Sequence, residues 1–309
     1  MELRHLHYFR VVAEELNFTR AAERLYISQP PLSRQIKKLE EEIGAVLFER
    51  STRGVALTAS GQFLYEHTLQ ILEKVESTVA ATRRIARSKR DLFSIGFVPS
   101  AFYGQLPLLV RSLRQKDNVE LVLTELTTIQ QVQALKAGRI DIGFGRLRID
   151  DPEVEQEVLY EEPMMAALPS DHALEGKRPT LAELAKEPII VFPTTPRPSL
   201  ADIVLGLFHR RGLKVEVAQE TNELQTALGL VVAGLGFTLV PEKVSRLKRH
   251  GISYAYLADS SITSPVLCSR RKNETPSTLM LETNETLRTL MKSGKKNQMP
   301  SEKSNIREV

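Results

Sequence analysis

The sequence holds a single cysteine, Cys268, so no internal disulfide can form, which matches a reducing cytosol. It has no run approaching the roughly 18 apolar residues of a membrane span. The opening MELRHLHYFRVVAEE is charged too early and too often for a signal peptide. A cytoplasmic protein with no membrane partner is therefore expected. The histidines His5, His7, His67, His172, His209 and His250 are scattered without metal-ligand spacing. There is no Walker phosphate loop, no GxSxG elbow and no convincing pair of catalytic carboxylates. No metal, no cofactor and no catalytic residue is expected. Cys268, in an apolar strand-like run, reads as a buried small residue rather than a nucleophile.

The 309 residues are too many for one typical domain, and 42% hydrophobic with 26% charged residues is ordinary for a globular chain. A net charge of +4 is only a weak pointer to a polyanionic partner. Residues 1–58 carry nine Lys/Arg against eight acids, so a DNA surface there must come from charge segregated onto one face. The densest basic run is Arg83, Arg84, Arg87, Lys89 and Arg90, which also reads simply as a solvated helix end.

Leu6, Phe9, Val12, Ala13 and Leu16 recur at helical spacing. Asn17 interrupts that helix, and Thr19 is the expected N-cap of a second, with Ala21, Ala22 and Leu25 inward. Ser28 is placed to cap a third, with Pro30 and Pro31 in its first turn, a buried stripe of Leu32, Ile36, Leu39 and Ile43, and Gly44 as its stop. Three short helices with a tight second turn form the helix-turn-helix pattern. Val46–Arg50 and Val55–Leu57 then read as a two-stranded wing. From Thr58 a long helix without proline runs to about Arg87, with Phe63, Leu64, Leu69, Ile71, Leu72, Val75 and Val79 apolar. Such a helix cannot bury both sides against a small domain, so it should pair with a second copy, with Leu72 in the seam.

Beyond Leu92 strand-like and helical segments alternate, and an α/β fold with mainly parallel sheets is expected. The strand-like runs are 93–98, 120–124, 140–144, 164–168, 189–192, 237–240, 252–257 and 265–268, with helices at 128–137, 200–211, 223–233 and 277–292 among them. Ser100 ends a strand, as do Thr127 and Thr128, and 194–199 opens a helix in the same manner. Ligands of open α/β sheets collect at such edges, and helix N-termini attract anions. Three such openings facing one cleft suit a small carboxylate.

The string from Thr19 to Leu25, with Ile27–Ile36, Leu39-Glu40, Phe48-Glu49-Arg50 and Leu57-Thr58 followed by Gly61, resembles the N-terminal signature of LysR-type transcriptional regulators. GFVPS (96–100), ELTT (125–128), GRIDIGFGRL (138–147), FPTTPRPS (192–199) and ALGLVVAGLGFTLVP (227–241) look like the subgroup governing aromatic-compound degradation, namely the muconate- and benzoate-responsive and chlorocatechol regulators. The resemblance implies a multidomain α+β chain. Its parts are a winged helix-turn-helix (1–58), a dimerising linker helix (59–90), a bilobed α/β effector domain of periplasmic-binding-protein type (91–292) and an unstructured tail (293–309). It also implies tetramers built as a dimer of dimers. The expected partners are an operator in double-stranded DNA, a small carboxylate effector and a second copy, with RNA polymerase a further candidate.

With the third helix's apolar stripe inward, Gln29, Pro30, Pro31, Ser33, Arg34 and Lys37 face outward, where an amide, a hydroxyl and a guanidinium suit base edges in a major groove. Arg34 is the candidate guanine contact and the prolines can touch a thymine methyl. Thr19, Ser28 and Lys38 suit phosphates, and Arg53 at the wing tip suits a minor groove. In the effector domain, the resemblance places Ser100, Thr128, Arg146, Pro198 and Leu200 around the effector cleft. Leu200 stands where the muconate binders have phenylalanine, so pocket shape can differ. Tyr160 stands where the benzoate-responsive member has an arginine for a second effector site, which puts such a site in doubt. Read one at a time, Thr127 or Thr128 is equally an N-cap and Arg146 equally a salt-bridge residue. Two other function classes fit the C-terminal fold, a solute-binding protein and a dehydratase-type enzyme. The helix-turn-helix argues against the first, and the absence of an acid–base or nucleophile set against the second.

Overall fold

A computed structural model describes residues 1–51, 54–87 and 91–296 of the chain. Two compact units emerge, one carried by Met1–Ala86 and the other by Arg87–Lys136 with Ile140 onward.

The first unit is α1 (Leu3–Glu15), α2 (Phe18–Arg24), α3 (Gln29–Ile43), the hairpin β1 (Phe48–Ser51) and β2 (Gly54–Leu57), and α4 (Ala59–Arg87). The cap of α2 is Asn17, whose side chain accepts the amides of Thr19 and Arg20. Thr19 sits inside the helix instead, because the asparagine two residues earlier already satisfies the orphan donors. Ser28 does occupy the N-cap of α3, though its side chain makes no capping bond. Gly44 ends α3 at φ +76°, a backbone that costs glycine little. The core is Phe9, Val12, Ala21, Leu32, Ile36, Leu39 and Leu47, with the Phe48 ring tilted against that of Phe9, their centres 5.3 Å apart.

On α4 the apolar residues divide. Leu64 and Tyr65 pack on the core of this unit, and Leu72 is itself buried. Leu72 is thus covered in the single chain, where the expectation set it in a seam with a second copy; helical periodicity marks a buried stripe without saying whose residues bury it. Among the described residues of α4, Phe63 (66% exposed), Leu69, Ile71 and Val79 are the large apolar side chains left in solvent. Phe63, His67, Gln70, Ile71, Lys74 and Val75 share one shallow face.

The second unit begins with β3 (Asp91–Phe97), a 3₁₀ turn (Pro99–Tyr103), α5 (Leu106–Arg114), β4 (Val119–Glu125), α6 (Thr128–Lys136) and β5 (Ile142–Gly145). It continues through β6 (Val154–Pro169), α7 (Leu181–Leu184), β7 (Ile189–Val191), α8 (Leu200–His209), β8 (Val217–Glu220), α9 (Leu224–Val232) and β9 (Thr238–Pro241). A second 3₁₀ turn (Glu242–Leu247), β10 (Ile252–Tyr256), β11 (Thr263–Arg271) and α10 (Thr278–Lys296) complete it. The main sheet runs β10-β6-β11-β5-β3-β4, with β9 also on β6, while β7 and β8 pair separately.

The sheets are mixed rather than mainly parallel. Among the described strand pairs, β3–β4, β3–β5 and β7–β8 run parallel and the others antiparallel. The reason is β6, a 16-residue strand that pairs antiparallel with β11 along Val154–Pro163 and then with β9 and β10 along Met164–Pro169. One strand thus serves two lobes. The first lobe (β3, β4, β5, α5, α6, α10) closes over Phe93, Ile95, Leu109, Leu113, Ile142, Phe144 and Leu287. The second closes over Leu168, Ile189, Phe208, Phe237 and Leu239, with Leu228 of α9 packed in a neighbouring cluster with Val240. The first half of β6 and all of β8 escaped the sequence reading because their burial is partial or nil. Helix α10 extends to Lys296, beyond the expected stop at 292. Residues 297–309 lie outside the described residues.

Candidate DNA-reading face and effector cleft

On the first unit, burying Leu32, Ile36 and Leu39 turns the opposite side of α3 to solvent. Thr19, Ser28, Gln29, Pro30, Arg34, Lys37 and Lys38 are exposed, and Pro31 and Ser33 are partly so. Lys37 and Lys38 face Glu41 and Glu42 at 3.8 and 4.0 Å, loose exposed pairs that a phosphate can displace. Arg53 lies outside the described residues.

In the second unit, all five residues expected around an effector line one cavity of about 160 Å³. From the first lobe come Ser100, Thr128 and Arg146; from the second come Pro198 and Leu200. Ser100 follows β3, Thr128 is the first residue of α6, and Arg146 follows β5, so three adjacent strands deliver them to one edge. Gly145 permits the approach of Thr128, since a Cβ there would lie 2.8 Å from the threonine hydroxyl.

Hydrogen bonds give these groups definite roles. The Arg146 guanidinium donates from Nε to the Ser100 hydroxyl at 2.6 Å and from Nη2 to Glu162 at 2.7 Å. Glu162 accepts the Lys243 amide with its other oxygen at 2.7 Å. Arg146 is thus a salt-bridge residue and a cavity residue at once, its charge balanced by Glu162. Its Nη1 is buried with no hydrogen-bond partner among the described residues. The Thr128 hydroxyl accepts the amides of Arg146 (3.1 Å) and Leu147 (3.4 Å). A hydroxyl has two lone pairs and one proton. With its lone pairs engaged, Thr128 has its O–H left to donate, and Ser100, already accepting from Arg146, is biased the same way.

Glu162 was not singled out from the sequence. It follows an exposed glutamate, Glu161, and only the alternation Tyr160, Glu162, Met164 along a strand could have marked it as inward. Removing its charge alone strands a buried guanidinium. Glu162→Ala should lower the stability of this unit by about 3–5 kcal/mol, whereas replacing both partners by apolar residues of similar volume should cost far less. Urea denaturation of the two variants separates these outcomes.

Beside this pair, the Lys243 ammonium lies 3.7 Å from the centre of the Tyr160 ring. Burial, then the charge of Glu162, pushes the Tyr160 phenol up to about 12, so it stays neutral. Burial also draws Lys243 below the usual lysine range, against the attraction of Glu162. Cys268 is buried in β11, and that burial raises its thiol to about 11, which leaves it inert as a nucleophile. Among the described residues no cluster fit to hold a metal ion and no helix able to cross a membrane is present.

Residues 3–62 match the family model described as bacterial regulatory helix-turn-helix protein, lysR family, and residues 86–292 match the LysR substrate binding domain. The chain is 53% identical over 274 residues to the HTH-type transcriptional regulator CatR of Pseudomonas putida, covering 89% of this chain and 94% of that one. Among solved structures, full-length CbnR complexed with its target DNA is similar at 33% identity and TM-score 0.66, over 94% of this chain and 100% of CbnR. The BenM effector binding domain with its effector benzoate is similar at 33% identity and TM-score 0.62, over 70% of this chain and 98% of that domain.

Proposed function

The chain belongs to the LysR family of DNA-binding transcription regulators, and on that premise we propose that it controls genes of aromatic-compound catabolism by sensing a small carboxylate in the cleft between its two lobes. The observation that carries this reading is the pair of hydroxyls at Ser100 and Thr128, each accepting protein N–H groups and so free to donate into the cavity. A carboxylate only accepts, and is their complement. Two helix starts border the same space, Thr128 of α6 and Leu200 of α8, and both ends favour negative charge.

Size narrows the class. A cavity of roughly 150 Å³ holds a benzene ring, so about 160 Å³ suits one aromatic acid or a six-carbon diacid such as muconate. Benzoate is the effector bound in the BenM domain, and CatR is a regulator of the same type. Arg146 acts by orienting Ser100, its charge being spent on Glu162, while Pro198 and Leu200 supply apolar wall. A second benzoate-type site beside Tyr160 is no part of this reading, since a neutral phenol stands where the benzoate-responsive member has an arginine.

DNA reading belongs to the outer side of α3, with Gln29, Pro30, Pro31, Ser33, Arg34 and Lys37 toward bases, Thr19, Ser28 and Lys38 toward phosphates and Arg53 toward a minor groove. Residues 1–58 are the DNA-binding domain, 59–90 the dimerising linker and 91–296 the effector domain, ending with α10. The active form is a tetramer of two dimers, working in the cytoplasm by binding rather than turnover, with RNA polymerase as its protein target. Arg34→Ala should cost about 1–3 kcal/mol of operator affinity and relax preference at one base pair per half-site. A gel-shift series on operator variants tests this, and unchanged affinity removes Arg34 from the base-reading set. Wild-type binding should also weaken steeply with salt.

A further inference from the structure

The segment 193–199 forms one wall of the cavity, and its residues alternate in a way that the ligand reading leaves unexplained. Pro193, Pro196 and Pro198 line the cavity, whereas Thr194, Thr195 and Arg197 do not. Proline has no N–H, so the wall presents hydrocarbon, and the amides of Thr194, Thr195 and Ser199 are taken up elsewhere. Thr194 donates to the Thr221 carbonyl at 2.9 Å, Thr195 to the Asn222 side chain at 2.9 Å, and Ser199 to Asp202 at 2.7 Å.

Arg197 occupies the outer side of this wall, and each of its three guanidinium nitrogens is engaged. Nε donates to the Thr194 carbonyl at 2.9 Å, Nη1 to Asp202 at 2.6 Å and Nη2 to Glu220 at 3.3 Å. The three acceptors belong to different pieces of the fold, namely the loop itself, the first turn of α8 and the end of β8. Asp202 also closes the capping box of α8 through Ser199. One planar fork therefore fixes the loop, the start of α8 and β8 in a single geometry.

We propose that Arg197 is a positioning residue for effector recognition: it contacts no ligand, and its three-way tether holds the proline wall at the spacing that sets the size of acid the cleft accepts. The inference rests on the carboxylate reading of that cleft. The pairs are only partly buried, 33% of the Arg197 side chain being exposed, so their removal contributes little to global stability. Its consequence lies in preorganisation, because a loosened loop must be ordered again each time a ligand binds.

The test uses the full chain with cis,cis-muconate and the bulkier 2-naphthoate as probes, and amide hydrogen exchange without ligand. In Arg197→Ala, exchange at Thr194, Thr195 and Ser199 should quicken while the rest of the unit is unchanged. Muconate affinity should fall on the order of tenfold, and the preference for muconate over naphthoate should narrow. Melting temperature and operator affinity should stay at wild-type values. Arg197→Lys, which keeps the charge without the planar fork, should recover only part of the loss. Unchanged exchange in the loop overturns the proposal, as does faster exchange with unaltered muconate affinity and preference. A wild-type chain that binds neither probe counts against the carboxylate reading, and the exchange data then decide by themselves whether Arg197 holds the loop.

Discussion

Replacing Ser100 and Thr128 together by alanine is expected to leave operator binding at the wild-type level and to abolish the response to effector. Both residues lie in the second unit, remote in sequence from α3, and both line the cavity. Each removed hydroxyl withdraws a donor from the carboxylate, and a hydrogen bond to a charged group contributes about 1.5–3 kcal/mol. Effector binding should weaken at least tenfold, on the order of a hundredfold if both bonds are made. A ligand shifts a conformational equilibrium only by its difference in affinity for the two states, so the response disappears with the binding. Thr128→Ser is the control, because it keeps the hydroxyl that accepts the amides of Arg146 and Leu147. A double variant that still responds normally to inducer would remove both hydroxyls from recognition.

The second large effect is expected on the linker helix. Phe63 and Ile71 stand two turns apart on the exposed apolar side of α4, whose groove they share with His67 and Lys74. An apolar stripe of this kind on a long helix is covered in solution, and a second copy of α4 is the occupant that two operator half-sites require. Phe63→Glu with Ile71→Glu places two carboxylates where that contact forms, and dimers should be lost. Linked heads gain roughly 10²–10⁴ in avidity over single ones, so operator binding should fall by a comparable factor. Leu72→Glu, in contrast, should act on the stability of the chain itself, because Leu72 is already buried. Light scattering alongside gel shifts distinguishes the two, and a Phe63/Ile71 variant that stays dimeric places the seam elsewhere.

What the sequence revealed and what it hid follow from how far each signal reaches. The α3 stripe of Leu32, Ile36 and Leu39 was legible because helical spacing and burial coincide within one element. Ser100 and Thr128 were legible because a strand's C-terminal edge is a local feature, and the resemblance supplied Arg146, Pro198 and Leu200. The partners of Arg146 were not legible, since Glu162 lies 16 residues away and becomes a neighbour only when β6 pairs with β11 beside β5. Asn222 was missed along with β8, a strand exposed at every position and so without alternation to reveal it. On α2, Asn17 and Thr19 both suit an N-cap, and only the backbone geometry selects Asn17. The parallel sheet expected of alternating elements failed at β6 and β11, whose crossing between lobes leaves no mark on local pattern.

Isothermal titration of the wild-type chain with cis,cis-muconate and benzoate tests the sensing claim most directly. Saturable binding of a small carboxylate at one site per chain, weakened at least tenfold in the Ser100/Thr128 double variant, is the result predicted. Binding of uncharged compounds only, or carboxylate binding that the double variant leaves untouched, would contradict it.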